Sequence, residues 1–183
     1  MRMPTVLDAS DLPLAERWAV RLDGDGFVLG DGLIAADEPD GPAQRAASVA
    51  TDARRYGLVL GGWTAAWVHG GTERLRRPLD LQTDSDGGVR TKLLPIRQVA
   101  FGPRDTVELA RVRVTTPFRT AADLARLELR LTDETVAVLR HLVALAGLTW
   151  PQAVAALAAT STAPGRLRAL DRFRAFREGA LPE

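Results

Sequence analysis

The chain holds two histidines, His69 and His141, a single lysine, Lys92, and no cysteine. These counts narrow the available chemistry at once. Without thiolates there is neither a disulfide framework nor a cysteine-type zinc site, and a reducing compartment fits. The histidines stand 72 positions apart, with no helical His-x-x-x-His or Glu-x-x-His spacing to aim two ligands at one metal. Both are expected to be packed or to end a helix. A metal-dependent nuclease needs clustered carboxylates with a lysine to hold metal and water. Asp80, in Leu79-Asp80-Leu81-Gln82, has no Glu-x-Lys stretch after it, and Lys92 has only Asp84 and Asp86 as nearby acids. Gly24, Gly26, Gly30 and Gly32 lie among aspartates that would repel a phosphate, and no nucleophile elbow, Walker or dinucleotide-binding loop occurs. The expectation is a protein without catalysis, metal or cofactor.

Charge is the second resource. The net charge is +1, but the charges are unevenly spread. Residues 1–40 carry three arginines against nine carboxylates, a balance of −6, whereas Pro164 to Glu178 carries five arginines against two, a balance of +3. Nearly every cation is a guanidinium, the planar fork that suits phosphate and carboxylate, although GC-rich coding DNA also favours arginine over lysine. Arg166, Arg168, Arg172 and Arg174 are therefore candidate anion contacts on a C-terminal helix whose Leu167, Leu170 and Phe173 are expected to dock.

These residues need elements to hold them. Leu12, Leu14, Trp18 and Leu22 at near-helical spacing predict a short helix capped by Asp11. Phe27–Leu29 and Leu33–Ala35 around Gly30-Asp31-Gly32 predict a hairpin. Glu38 to Pro42 is punctuated as a loop, and the Ala-rich run from Ala43 to Tyr56 reads as one helix. Glycines bracket a short helix over Trp63 to His69, with Trp63 and Trp67 one turn apart as core residues. Three β-like stretches, 79–83, 89–99 and 107–115, read as an antiparallel meander. Thr116 then caps a helix begun by Pro117, in which Arg119 and Asp123 are i and i+4 and can pair. Thr132 to Ala146, Trp150 to Ala159 and the tail after Pro164-Gly165 complete a helical segment. The class is α+β: a small antiparallel meander packed with helices, an N-terminal helix plus hairpin (1–40) and a core with C-terminal helices (41–183). With 183 residues a core of its own is expected without staples. The apolar run from Val136 to Leu145 is broken by Arg140 and His141 and is far short of a membrane span. No apolar leader follows Met1, so a cytoplasmic location and no membrane partner are expected.

The stretches LGGWTAAWVHGG (Leu60 to Gly71) and VRVTTPFRTAADLAR (Val112 to Arg126) together resemble the AbiEi-family antitoxins of type IV toxin–antitoxin systems, of the kind common in actinobacteria. The matching positions are Thr64, His69, Thr116, Pro117, Arg119, Thr120 and Asp123, and the likeness is best over residues 43–127. It implies a non-catalytic antitoxin or transcription regulator that opposes a nucleotidyltransferase-like toxin and begins with an operator-reading winged helix. Here residues 1–40 hold at most the last helix and wing of such a module. Arg17 and Arg21 are its candidate DNA contacts, set against strong local acidity. The alternatives are a nucleic-acid binder using the basic C-terminal helix and a degenerate nuclease-associated domain. For Arg119-Thr120-x-x-Asp123 the residues themselves favour architecture over recognition. The oligomeric state has no signature.

Overall fold

A computed structural model describes residues 5–7, 11–84, 96–159 and 165–177. The class is α+β, with a three-stranded antiparallel sheet, a five-stranded mixed sheet and helices around both. The first helix, α1 (Leu14–Leu22), starts later than Asp11: Pro13 stands at its N-cap position, and no side chain caps it. Strands β2 (Gly26–Leu29) and β3 (Gly32–Ala35) form the expected hairpin with Leu29 opposite Gly32, and β1 (Val6–Leu7) pairs on the free edge of β3.

The expected helix over 43–56 is two helices, α2 (Pro42–Ser48) and α3 (Ala50–Tyr56). Ser48 explains the break. Its hydroxyl folds back onto the Arg45 carbonyl (2.8 Å), and its own carbonyl accepts from the amide of Asp31 in the hairpin turn (3.2 Å). A serine that bonds backward competes with the helical ladder, and here the hairpin takes the freed carbonyl. Gly30 permits this approach, since its φ is +57° and a β-carbon there would collide with the Ser48 hydroxyl. Leu29 and Ile34 share one buried cluster with Ala46, Val49, Ala50, Leu60, Trp67 and Val114, so the hairpin seals the same core as α2 and α3.

The larger sheet corrects the expected meander. Its order is β6-β5-β4-β8-β7, with β4 (Val59–Leu60) in the centre, β5 at Leu81–Thr83, β6 at Ile96–Gln98, β7 at Thr106–Leu109 and β8 at Val112–Thr115. β4 runs antiparallel to β5 but parallel to β8, and β5 and β6 are parallel. A parallel pair is not the neighbouring hairpin pair that a meander requires. Of the expected strand 89–99, residues 89–95 and the glycines of the preceding turn lie outside the described residues. The stretch 107–115 is no single strand either. It folds into β7 and β8 around Ala110 (φ 47°) and Arg111 (φ 63°), a pair of left-handed residues without glycine that costs about 1 kcal/mol for each.

Helix α4 (Gly62–Val68) is buried throughout and joins two cores. Trp67 and Val68 face the sheet, while Trp63 and Ala66 face a helical cluster built from α5 (Pro117–Leu127), α6 (Asp133–Leu145), α7 (Trp150–Ala159) and α8 (Arg166–Arg177). The expectation that both tryptophans are core holds. Thr132 caps α6 as its sequence predicts, its hydroxyl accepting from the Thr135 amide at 3.2 Å. Among the described residues no single helix is long and apolar enough to cross a membrane.

Candidate interaction surfaces

The signature residues of the sequence converge on the joints between α4, α5 and the sheet. Asp80 receives the Trp63 amide on its carboxylate (2.8 Å), while its own amide donates to the Thr64 hydroxyl (2.8 Å). This reciprocal pair caps α4 and ties it to the strand that follows. At the other end of α4, His69 is buried and its Nε2 lies 2.7 Å from the Thr115 carbonyl. A carbonyl only accepts, so Nε2 carries the proton. His141 Nε2 in turn donates to the His69 carbonyl at 3.0 Å. His69 is packed and ends α4 as expected, whereas His141 is an exposed residue inside α6 that reaches the end of α4 through this one bond.

Burial pushes the His69 pKa below its ordinary 6.5; the Thr115 bond pulls it up, and charge on His141 pushes it down. The neutral ring is thus favoured by folding. Its contribution is complete above pH 6.5 and is lost as pH falls through that value toward the lower folded-state pKa. Thermal denaturation is expected to show a lower melting temperature at about pH 5.5 than at about pH 7.5, and His69→Gln, which keeps an N–H for Thr115, should flatten that drop. An equal drop in the variant would remove His69 as its source.

Thr116 occupies the N-cap position of α5 and Pro117 its first turn, as predicted, but the Thr116 hydroxyl does not cap; it is turned toward the Arg104 carbonyl at 3.4 Å. Thr120, fully buried, donates to the Thr116 carbonyl (2.9 Å) and meets the Thr115 hydroxyl at 2.7 Å. Arg119 pairs with Asp123, Nε to Oδ2 at 3.0 Å, and also with Asp105. Asp123 is 1% exposed and accepts from Arg126 at 3.1 Å on its other oxygen. Phe101 lies under both Arg119 and Arg113. The network fastens the 100–105 loop to α5, which accounts for the motif as architecture.

The arginines expected to face anions are not equivalent. Arg172 is 9% exposed, and its guanidinium donates to the carbonyls of Ala125 (2.8 Å), Glu128 (2.9 Å) and Leu129 (3.2 Å), so it closes the C-terminus of α5 instead of facing solvent. Burial lowers its pKa, helped by Arg168 and opposed by Glu128. Arg166 is half-buried. Arg168 is exposed and reaches the Arg126 carbonyl at 3.4 Å, and Arg174 is exposed beside Asp171 at 3.4 Å. Leu167, expected to dock, is 73% exposed; the buried residues of α8 are Ala169, Leu170, Phe173 and Phe176 together with Arg172. At about 3.6 residues per turn, Leu167 falls nearly opposite the centre of that face, whereas Arg172 falls within it.

In the N-terminal region Arg17 donates to the Asp31 carbonyl (3.3 Å) and Arg21 stacks on Trp18 at 4.6 Å. Neither stands clear as a groove-reading arginine. What the region does present is apolar. Helix α1 buries no residue, and Leu14, Trp18 and Leu22, one turn apart in succession, are 69%, 51% and 83% exposed. Among the described residues no group of three or more histidines, cysteines or carboxylates could hold a metal ion. Against models of protein families the chain has no match, and no curated protein sequence matches it.

Proposed function

We propose that this chain is a non-catalytic, antitoxin-like regulator that works in the cytoplasm by binding a partner protein, a nucleotidyltransferase-like toxin of the kind its sequence motifs imply. The observation that carries this reading is the bare stripe of Leu14, Trp18 and Leu22 on α1. A row of large apolar side chains left in water on one helix face is the usual mark of a protein-binding surface. The remaining features support recognition over catalysis. The signature residues of α4 and α5 are committed to caps, buried threonine bonds and an ion-pair network, which leaves none of them poised over a cleft for acid–base work. The operator-reading role is less well supported, because Arg17 and Arg21 have local partners and stand among carboxylates.

Co-expression with the product of the adjacent reading frame tests the proposal. The wild type should relieve growth arrest by that product and co-purify with it, and a Leu14→Ser, Trp18→Ser, Leu22→Ser variant should do neither while melting within about 2 °C of the wild type, since all three side chains are more than half exposed. A neighbouring product that neither arrests growth nor binds the wild type would sink the antitoxin reading.

A further inference from the structure

A second surface, apart from α1, carries chemistry that none of the readings above uses. Between α3 and the turn joining β7 to β8 lies a cleft of about 450 Å³ lined by Ala53, Arg54, Gly57, Leu58, Arg111, Val112 and Arg113. Three of these seven residues are arginines, and no carboxylate lines the cleft. Asp84 pairs with Arg113 at 3.2 Å, and Glu108 stands across the ladder from Arg113. Among the described residues neither Arg54 nor Arg111 forms an ion pair with an acid, and Arg55, next along α3, stacks on Tyr56 at 5.4 Å.

Two details make this more than a solvated basic edge. Arg54 is exposed yet already oriented, because one guanidinium nitrogen donates to the Ala110 carbonyl at 2.6 Å. That bond reaches the very turn in which Ala110 and Arg111 hold left-handed backbone without glycine, the kind of unfavourable geometry that is retained where a side chain must be presented. The C-terminal carbonyls of α3 point a partial negative charge toward the same end, and Arg54 and Arg55 in its last turn offset it. Arg111 lies on another element and is not needed for that purpose.

We propose that this cleft binds phosphodiester groups of a nucleic acid backbone through Arg54 and Arg111, with Arg113 in support. Its lining has no aromatic ring to stack a base and no carboxylate or amide side chain to read one, so recognition is of phosphate and is independent of sequence. The inference rests on neither α1 nor a toxin, and either reading can fail without the other.

Fluorescence anisotropy of a labelled short duplex DNA with the full chain provides the test, with Arg54→Gln and Arg111→Gly combined in one variant. Arg54 is exposed, so its replacement removes no buried group, and glycine relieves the left-handed turn, so the variant should melt no lower than about 2 °C below the wild type. Between about 50 and 200 mM salt the wild type should lose affinity steeply, and the variant's log-log slope should be shallower by roughly 1.8, two contacts at about 0.9 each. An Arg168→Ala, Arg174→Ala variant of α8 should match the wild type within about twofold. No binding by the wild type at the lower salt, an unchanged slope in the cleft variant, or the same loss in the α8 variant would overturn the assignment. Binding of inorganic polyphosphate without binding of DNA would overturn it as a nucleic-acid site.

Discussion

Replacing Arg172 by alanine is expected to destabilise the protein by about 3 kcal/mol, the sum of lost charge-assisted bonds and carbonyls left dry, and to lower its melting temperature by roughly 6 to 12 °C. The physical reason lies at the end of α5. A helix leaves its last carbonyls without partners, and many helices satisfy them with a glycine-based turn. Here the residue after α5 is Glu128 in extended conformation, which makes no such turn, and the guanidinium of Arg172 reaches over from α8 to take the carbonyls of Ala125, Glu128 and Leu129. A lysine cannot span three acceptors in that way, because its ammonium is a point donor and not a fork. Arg172→Lys should therefore recover less than half of the loss. Urea unfolding of the three proteins decides the matter, and an alanine variant within about 0.5 kcal/mol of the wild type would show that the carbonyls find water without cost.

The second large effect is expected at Asp123. Its two oxygens accept from Arg119 and Arg126, and the carboxylate is almost wholly enclosed. Asp123→Ala takes away the enclosed carboxylate that Arg119 and Arg126 share, and breaking such a buried pair typically costs 3 to 5 kcal/mol, about 3 here because Asp105 still holds Arg119. Replacing Arg119 as well, in an Arg119→Met, Asp123→Ala double variant, removes one of the two guanidiniums that Asp123 compensates and should be more stable than Asp123→Ala alone. Chemical denaturation of the singles and the double gives the coupling. A double variant less stable than both singles would mean that the pair acts through something other than charge compensation.

Much of this architecture could be read from residues alone, for reasons that differ by element. Gly30-Asp31, the glycines around α4, Thr132 and Pro117 are local signals, in which the backbone demand and the residue that meets it are neighbours in sequence. The Arg119–Asp123 pair is legible for the same reason, being one turn apart on one helix. Features that depend on distant partners were not. β4 has two residues, too few for any alternation to show, and its central place depends on β5 and β8 lying on either side. The β7–β8 turn uses Ala110-Arg111 where Asn-Gly would have announced it. The break at Val49 follows from a carbonyl taken by the hairpin, which no property of the Ala-rich run reveals.

Arg172 is different, because its burial had a signal. On a helical projection it shares a face with Ala169, Phe173 and Phe176, which sets it apart from the exposed Arg168 and Arg174. The acid-free cleft at α3 was hidden for the opposite reason. Arg54 and Arg111 are 57 positions apart and become neighbours only when β8 pairs with β4.

Helix α1 has a thermodynamic consequence of its own. Nine residues are fewer than the roughly 12 to 15 that keep a helix formed in water, and this one buries no side chain. Its order is borrowed from a few links to the hairpin: Arg17 on the Asp31 carbonyl, the Asp25 amide on the Val20 carbonyl at 3.0 Å, and Val20 against Gly26. Fraying of this segment therefore competes with any docking upon it, and a ligand of that face must supply the conformational entropy of holding the helix closed. Affinity there is governed by the opening equilibrium of α1 as much as by contact area. Substitutions that change helix propensity at its exposed positions, such as Ala15 or Ala19, would tune binding up or down without touching the partner.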